Sequence, residues 1–224
     1  MKESLRTLRT NIQFCGDDIK TILFTSSAPD EGKSTVTVDL AESLAESRKK
    51  VLVIDADMRK SLLIGRLGAR LAEGGKIYGL SHFLTGQKSL SEVLYATEKT
   101  GMFTIFAGPS VPNPTELLDN RYFRELMEFA KGNFDYVLID CPPIGAAIDA
   151  AIVAKYCDGA VLVIAQGQVS GRIIADVKKQ LETSGVRILG AVLNKVKKSK
   201  GIGGYYGGYY GNYYGNYYGR NSEK

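Results

Sequence analysis

The stretch that decides the fold reads Ser27-Ala28-Pro29-Asp30-Glu31-Gly32-Lys33-Ser34-Thr35, between a short apolar run at 22–24 and a helical pattern that begins at Ser34. A glycine beside a lysine at a helix start lets backbone N–H groups turn toward phosphate oxygens, and the helix N-terminus adds its partial positive charge. We therefore predict that Lys33 contacts phosphate and that Ser34 ligates Mg²⁺. Ser27 stands where the usual phosphate loop has its first glycine, and Gly-Lys-Ser-Thr by itself also fits an ordinary helix start.

Two further apolar runs end in aspartates. Residues 51–54 are followed by Asp55 and Asp57, and residues 136–139 by Asp140 and two prolines. The carboxyl ends of parallel strands lie along one edge of a sheet, and ligands bind there. These aspartates are therefore predicted to converge on Lys33 and Ser34. A single aspartate at a strand end is also a common helix cap, but three beside one phosphate loop favour a nucleotide site.

Short apolar runs alternate with longer helical patterns along the chain, which is typical of a parallel sheet covered by helices on both faces. The predicted fold is a three-layer α/β architecture of the P-loop NTPase type. About six strands are expected, at 22–24, 51–54, 103–106, 136–139, 160–165 and 188–193, with helices at 34–46, 115–130 and 170–183. Four glycines within 65–75 predict a mobile loop.

The pattern changes after Val196: Lys195 stands directly before it, and three more lysines follow it and precede a repeat of YYG every four residues. The repeat has no aliphatic residue beyond Ile202, so it cannot form a core of its own and is expected to be disordered. We therefore divide the chain into a domain at 1–196, of which 1–14 is an N-terminal helix, and a flexible tail at 197–224. The tail tyrosines are Tyr205, Tyr206, Tyr209, Tyr210, Tyr213, Tyr214, Tyr217 and Tyr218.

Composition excludes several other classes of protein. The 44% hydrophobic and 24% charged residues are those of an ordinary globular domain, and neither a membrane span nor a signal peptide is apparent, so a cytoplasmic protein is expected. Three widely spaced cysteines fit neither a disulfide framework nor a metal site. The net charge of +5 is concentrated just before the tail rather than on a broad basic face, so no nucleic-acid partner is expected.

These motifs resemble those of the bacterial tyrosine kinases, a family related to the MinD and ParA ATPases. The family has a modified phosphate loop with alanine or serine in place of the first glycine, an apolar run followed by D-x-D-x-R, and a third run that ends in D-x-P-P. Residues 27–35, 54–59 and 137–143 match these three signatures. One departure is Ser61, where many members have a proline after the arginine.

The resemblance implies a protein-tyrosine kinase that uses ATP and Mg²⁺. By position, Lys33 binds phosphate, Ser34 and Asp140 organise Mg²⁺ directly or through water, and Asp57 supports the metal shell and catalysis. Asp55 is implied as the base that takes the tyrosine proton, although spacing alone leaves open which aspartate is base and which is ligand. Asn194 is implied at the adenine, which completes the predicted ATP contacts as Ser27, Asp30, Glu31, Gly32, Lys33, Ser34, Thr35 and Asn194.

Glu3, Arg6 and Arg9 match the E-x-x-R-x-x-R element through which family members assemble into rings. On a helix these residues point to similar sides, an arrangement that also fits routine pairing on a charged helix. With the resemblance, an oligomer contact is expected.

The tail follows the last strand on the edge of the nucleotide site, and its glycine-flanked tyrosines are predicted to be phosphorylated in trans by a neighbour in the ring. The resemblance further implies a separate transmembrane activator, a cognate tyrosine phosphatase, a place at the inner face of the cell membrane and a role in capsular or extracellular polysaccharide synthesis or export.

Two other functions stay open from the sequence. A MinD/ParA-like positioning ATPase would carry a second lysine early in the phosphate loop, where this chain has Ala28. A non-enzymatic nucleotide-binding scaffold that uses the YYG repeat for assembly is also compatible with these residues.

Overall fold

A computed structural model describes residues 2–67, 76–145 and 147–197. Helices and strands alternate through most of this range. The helices are α1 Lys2–Gln13, α2 Lys33–Glu46, α3 Leu63–Arg66, α4 Leu80–Leu84, α5 Leu90–Val93, α6 Pro114–Leu118, α7 Arg121–Asn133, α8 Asp149–Ala154 and α9 Gly171–Thr183. The strands are β1 Thr21–Ser26, β2 Val51–Asp55, β3 Tyr95–Ala96, β4 Met102–Ile105, β5 Tyr136–Asp140, β6 Gly159–Ala165 and β7 Ile188–Asn194.

The strands form one sheet in the order β3-β4-β2-β5-β1-β6-β7. All neighbouring pairs are parallel except β3 with β4, which is antiparallel. Because β2 and β5 are in register from Val51 opposite Tyr136 to Asp55 opposite Asp140, their aspartates end side by side. The parallel α/β fold predicted from the sequence is thereby confirmed.

Side chains of the central strands alternate between two hydrophobic clusters, one on each face of the sheet. Leu23 packs with the cluster under helices α4 to α9, whereas Ile22 and Phe24 pack with the cluster under α1, α2 and α3. All three residues are fully buried. Burial on both faces explains why these strands read as continuous apolar runs rather than as alternating ones.

Two details of the predicted secondary structure were wrong. Within the described residues the sheet has seven strands rather than about six, because the edge strand β3 is only two residues long and directly follows helix α5, which takes up the start of the apolar run at 93–96. The predicted helix at 115–130 is two helices, α6 and α7. Asn120 separates them because its side-chain oxygen accepts a hydrogen bond from the Phe123 N–H at 3.0 Å and caps the second helix.

The start of the predicted loop at 65–75 lies in α3, and its residues 68–75 are outside the described range. The tail tyrosines, from Tyr205 to Tyr218, are also outside it. Within the described part of the chain, no helix combines the length and apolar character needed to cross a membrane. Cys15, Cys141 and Cys157 are free thiols.

Helix α1 lies against α2, and the three residues predicted to form the oligomer contact differ in their surroundings. Glu3 and Arg6 are exposed. Arg9 instead donates from Nη1 to the Ser43 carbonyl at 2.7 Å and to the Ser43 hydroxyl at 3.3 Å. Arg9 therefore fastens α1 to α2 within one chain, and only Glu3 and Arg6 present side chains free of such a contact in the described structure.

Candidate active site

The phosphate loop joins β1 to α2 and contains two residues with left-handed backbone. Asp30 has φ of 62° and Gly32 has φ of 91°. The left-handed backbone favours glycine at position 32, and a Cβ atom there would stand 2.2 Å from the Asn194 side-chain nitrogen and displace it from the Glu31 carbonyl. The loop then enters a helix of 14 residues, whose N-terminus favours an anion.

Glu31 is fully buried and holds the loop together from inside. One carboxylate oxygen accepts the Ser27 N–H at 2.6 Å and the Ala28 N–H at 2.8 Å, and the other accepts the Ala165 N–H at 3.0 Å. The side chain is therefore committed to shaping the loop. Because both carboxylate oxygens are engaged, the predicted nucleotide contact of Glu31 would have to come from its backbone N–H.

The loop carbonyls are held from the far edge of the sheet. Gln168 Nε2 donates to the Pro29 carbonyl at 2.6 Å, Lys195 Nζ donates to the Asp30 carbonyl, and Asn194 Nδ2 donates to the Glu31 carbonyl at 2.9 Å. In a trans peptide the carbonyl and the following N–H point in opposite directions. Fixing these carbonyls therefore points the N–H groups of the following residues away from Gln168, Asn194 and Lys195, where an anion can accept their hydrogen bonds. Asn194, predicted at the adenine, positions the loop here.

Lys33 stands between two carboxylates at the start of α2. Its Nζ lies 3.0 Å from Asp57 Oδ2, 3.7 Å from Asp140 Oδ1 and 3.4 Å from the Ser34 hydroxyl. Burial lowers the pKa of Lys33, but the attraction of Asp140 and Asp57 outweighs burial and leaves the pKa above its ordinary value. Lys33 is thus a charged ammonium at the place where phosphate is predicted to bind.

Asp55 is fully buried and lacks a close cation among the described residues. It accepts the Asp57 N–H at 3.1 Å and the Ser61 hydroxyl at 2.6 Å. Burial, and after it the nearby charge of Asp140, raises the pKa of Asp55 to about 7 against the opposing effect of the Ser61 hydrogen bond. A carboxyl group that titrates near neutrality is suited to accept a proton in catalysis.

Asp140, at the end of β5, is the other buried carboxyl group. Burial raises its pKa to about 6, and Lys33 and Ser34 oppose the rise. Its Oδ1 has no hydrogen-bond partner within the described structure. Groups of three or more Asp, Glu, His or Cys side chains that could hold a metal are absent from that part of the chain. One carboxylate, the Ser34 hydroxyl, water and substrate phosphates are nevertheless an ordinary Mg²⁺ environment, so these residues fit the predicted ion.

The remaining predicted residues are placed around this centre. Asp57 accepts the Lys60 N–H at 3.0 Å on the carboxylate oxygen that Lys33 does not contact. The Thr35 hydroxyl accepts Arg66 Nη1 at 2.8 Å and so joins α2 to α3. The Ser27 hydroxyl is buried with no hydrogen-bond partner among described residues. The structure thus places Asp57 and Asp140 at 3.0 and 3.7 Å from Lys33 Nζ, whereas Asp55 lies at the same edge of the sheet without contacting Lys33.

Arg59, Asp149 and Thr115 form an ion-pair cluster that the motifs do not reveal. Arg59 donates to Asp149 from Nε at 2.8 Å and from Nη2 at 3.2 Å, and the Thr115 hydroxyl donates to the same carboxylate at 2.6 Å. Asp149 is buried although Arg59 is half-exposed. Arg59 ends the D-x-D-x-R motif, but its partner is 90 residues away and carries no local signal.

A cavity of about 170 Å³ opens beside Lys33 and Asp57. Leu62, Pro142 and Pro143 line the same cavity. Asp55 and Asp140 do not line it, because both lie buried behind Asp57 and Lys33.

This combination of a glycine-dependent phosphate loop, a buried lysine and carboxylates at one edge of a parallel sheet defines a P-loop nucleotide-binding protein. Residues 19–184 match the family described as AAA domain. The tyrosine-protein kinase CpsD of Streptococcus agalactiae is 42% identical over 205 residues, which are 92% of this chain and 88% of that protein. The chain belongs to the bacterial tyrosine-protein kinases.

Solved structures agree with this placement. The kinase domain of Escherichia coli tyrosine kinase ETK has a TM-score of 0.84 and 34% identity, covering 91% of this chain and 78% of that one. The septum site-determining protein MinD of Pyrococcus horikoshii, complexed with Mg-ADP, has a TM-score of 0.66 and 27% identity, covering 81% of this chain and 72% of that one. The predicted relation to both groups is confirmed.

Proposed function

We propose that this chain transfers the γ-phosphoryl group of ATP to tyrosines of the tail of another copy of itself. The observation that carries the proposal is the buried centre in which Lys33 pairs with Asp57 at 3.0 Å beside Asp55, whose pKa lies near 7. Phosphoryl transfer needs mainly positioning and neutralisation of charge, with one carboxylate to take a proton. The site supplies both requirements.

In this mechanism the tyrosine oxygen forms a bond to the γ-phosphorus, the bond from phosphorus to the bridging oxygen breaks, and ADP leaves. Lys33 neutralises charge on the transferred group, and the loop N–H groups hold the phosphates. The tyrosine proton ends on Asp55. Because Asp55 is fully buried, the proton reaches it through the partly exposed Ser61 hydroxyl, which already donates to Asp55 at 2.6 Å.

Mg²⁺, when bound, neutralises phosphate charge and orients the phosphate oxygens. Ser34 and Asp140 would hold it directly or through water, and Asp57 would support its shell. Asp140 Oδ1 favours this assignment, because it has no hydrogen-bond partner among the described residues and only a 3.7 Å ion-pair contact with Lys33 Nζ.

The path of the chain supports the tail as substrate. The Lys197 N–H donates to Gln166 Oε1 at 2.9 Å, so the chain leaves the domain at the edge that holds the phosphate loop. Tyr205 follows Lys197 by eight residues, a reach of at most about 28 Å. A neighbour in a ring, held through Glu3 and Arg6, would receive such a tail in its own site.

A two-protein mixture tests delivery in trans. The donor is the full chain with its eight tail tyrosines changed to phenylalanine, and the acceptor is the Lys33→Met chain with its tail intact. Phosphotyrosine is expected on the acceptor when ATP and Mg²⁺ are present, and neither protein alone should acquire it. An unlabelled acceptor, together with a wild-type chain that labels itself, would show transfer within one copy.

The same assay separates this proposal from a positioning ATPase, which would release inorganic phosphate from ATP without any phosphotyrosine. It also separates it from a scaffold, which would do neither. Ala28 argues against the ATPase because that class carries a lysine there.

Regulation is proposed through charge. Each phosphate adds about −1.5 to −2 at pH 7, so eight would overturn the net charge of +5 and loosen a ring by repulsion. A separate transmembrane activator would hold the kinase at the inner face of the membrane, a tyrosine phosphatase would reset it, and the output would be capsular or extracellular polysaccharide synthesis or export. An oligomer whose size is unchanged after phosphorylation would contradict the charge switch.

A further inference from the structure

The two edges of the sheet differ in length and in protection. β3 forms one edge with two residues, which offer little for another strand to pair with. β7 forms the other edge with seven residues, and among the described strands it pairs only with β6. Its sequence ILGAVLN contains neither a charged residue nor a proline, the features that commonly protect sheet edges. The β7 edge is therefore a surface that another strand can extend.

Alternate residues of β7 direct their backbone groups away from the sheet. The Gln166 N–H donates to the Asn194 carbonyl at 2.9 Å, so Asn194 faces β6. Successive residues of a strand point their backbone groups to opposite sides, so Val192 also faces β6, whereas Ala191 and Leu193 face outward. Neither outward residue has a backbone hydrogen-bond partner within the described part of the chain.

The side chains beside these outward groups are also uncovered. Leu193 is in register with Ile164 of β6, which packs against the core, yet Leu193 itself is 59% exposed. Ala191 is exposed as well. A single exposed leucine is ordinary on a protein surface. Here an added strand would both pair with the outward backbone groups and cover the leucine.

The chain after Lys197 supplies a segment for this edge. Residues 198–224 follow β7 closely and contain no proline, and tyrosine, their most frequent side chain together with glycine, is favourable in strands. An added strand would lie two strand spacings from β6, about 10 Å, and the seven residues 198–204 span up to about 24 Å. The segment therefore reaches the edge of its own sheet. Because it returns from the end of β7, it would run antiparallel to that strand.

The YYG repeat fits a strand in several registers. Its period of four residues is a multiple of the two-residue alternation of a strand, so the tyrosines form two rows. One row would be Tyr205, Tyr209, Tyr213 and Tyr217, and the other Tyr206, Tyr210, Tyr214 and Tyr218. Main-chain pairing itself sets no requirement on this spacing, but a shift by four residues brings equivalent side chains to the same places. In each such register a tyrosine ring covers apolar surface at the edge.

We propose that the tail pairs with the edge of β7 in its own chain as an antiparallel eighth strand, held by the outward backbone groups of Ala191 and Leu193. A stretch such as 205–211 matches the seven residues of β7 and contains four of the eight tail tyrosines. Docking therefore withholds about half of the tyrosines from a neighbouring active site. This consequence rests on the proposed function, whereas the docking itself does not.

Amide hydrogen exchange, resolved by residue with NMR, tests the docking. The full chain with Lys33→Met, whose tail stays unphosphorylated, is compared with the same chain in which the spacers between tyrosine pairs, residues 207, 208, 211, 212, 215 and 216, are changed to proline. Proline cannot donate to a neighbouring strand. The N–H groups of Ala191 and Leu193 should exchange about tenfold more slowly with the natural tail, as expected for docking about nine-tenths of the time.

Two controls belong to this measurement. Val192 already pairs with β6, so its N–H should exchange at the same rate in both chains. Changing the same six spacers to alanine keeps their N–H groups and should preserve the slow exchange of Ala191 and Leu193. Equal exchange of these two groups with the natural and the proline tail would overturn the docking. Protection that rises with protein concentration would also overturn it, because a second copy would then occupy the edge.

A rate measurement tests the withheld tyrosines. The donor is the chain with its eight tail tyrosines changed to phenylalanine, and the acceptor is the Lys33→Met chain. Adding Ala191→Pro to the acceptor removes an outward N–H without removing a bond to β6, so the rate of tail phosphorylation should rise about twofold as the withheld half becomes available. Ala191→Gly keeps the N–H and is the matched control, with no change expected.

The outcomes of the two experiments are distinguishable. An unchanged rate for Ala191→Pro, together with loss of protection at Leu193, would overturn the withholding of tyrosines. An acceptor that gains no phosphotyrosine at all, while Ala191 and Leu193 remain protected by the natural tail, would refute the proposed function and leave the docking supported.

Discussion

The site divides into an open half and a closed half. The open half is Lys33 with Asp57 on the wall of the cavity, and the closed half is Asp55 with Asp140, both buried behind it. Asp55 and Asp57 are two residues apart, yet Lys33 lies 3.0 Å from Asp57, and Asp55 is left to a hydroxyl and a backbone N–H. The position of the Lys33 ammonium group thus leaves Asp57 in an ion pair and Asp55 without one.

Lys33→Met should have the largest effect, because it removes the cation of the open half. Loss of a preorganised charge at the transferred group is expected to lower phosphotyrosine formation by about 1,000-fold. Lys99→Met, which removes a surface lysine paired with Glu46 at 3.4 Å, should leave the rate unchanged. A Lys33→Met protein that keeps a tenth of the activity would mean that the open half is not the phosphate site.

Replacing Asp55 and Asp57 one at a time by asparagine should affect different kinetic constants. Asp55→Asn is expected to lower kcat by about 100-fold with little change in the ATP KM, because it removes a proton acceptor. Asp57→Asn should raise the ATP KM as well, because it removes the partner of Lys33. Steady-state kinetics on both variants measure the difference, and identical changes in kcat and KM would contradict it.

The closed half should also give the protein a pH-dependent stability. Asp55 and Asp140 have pKa values of about 7 and about 6 in the fold, against about 4 in the unfolded chain. Between pH 4 and pH 7 the folded state therefore binds more protons, and its free energy of unfolding should fall as pH rises, by at most roughly 1 kcal/mol per pH unit for each group.

Urea denaturation across this range, without nucleotide or Mg²⁺, measures the slope. Asp55→Asn should flatten it, whereas Asp135→Asn, at an exposed carboxylate outside the site, should not. Parallel curves for Asp55→Asn and the wild type would refute the raised pKa of Asp55.

Ser61→Ala should have the smallest effect. The Ser61 hydroxyl lowers the pKa of Asp55, so its loss should move the acidic limb of the pH–rate profile to higher pH. The proposed proton path through Ser61 adds a fall of about tenfold or less in kcat. Ser89→Ala, which removes an exposed hydroxyl at the N-cap of α5, outside the site, serves as the comparison. A limb that moves to lower pH would show that Ser61 does not stabilise the Asp55 carboxylate.

Most of the site could be predicted because its parts are local. The phosphate loop and Asp57 follow buried strands, Asp55 and Asp140 end them, and parallel strands bring their carboxyl ends to one edge. What the sequence could not reveal depends on contacts between distant segments. Arg59 binds Asp149, which is 90 residues away in the sequence. Gln168 donates a hydrogen bond to the Pro29 carbonyl of the phosphate loop, which is 139 residues away.

The role of Glu31 and the break at Asn120 were missed for a different reason. Glu31 stands in a motif where a ligand contact is expected, but its side chain turns inward to bind three backbone N–H groups. Asn120 interrupts a helical pattern without glycine or proline, and the competition between its side chain and the helix backbone is visible only in three dimensions.

The hydrogen bonds from Gln168, Asn194 and Lys195 to the phosphate loop determine where the chain can be shortened. A cut after Lys197 leaves all three donors in place, so tails of any length or sequence can be grafted there without touching the nucleotide site. A cut only three residues earlier removes Lys195 and releases the Asp30 carbonyl. The sequence after Lys197 can therefore diverge in length and in tyrosine spacing, whereas residues 194 and 195 are constrained because they hold the phosphate loop.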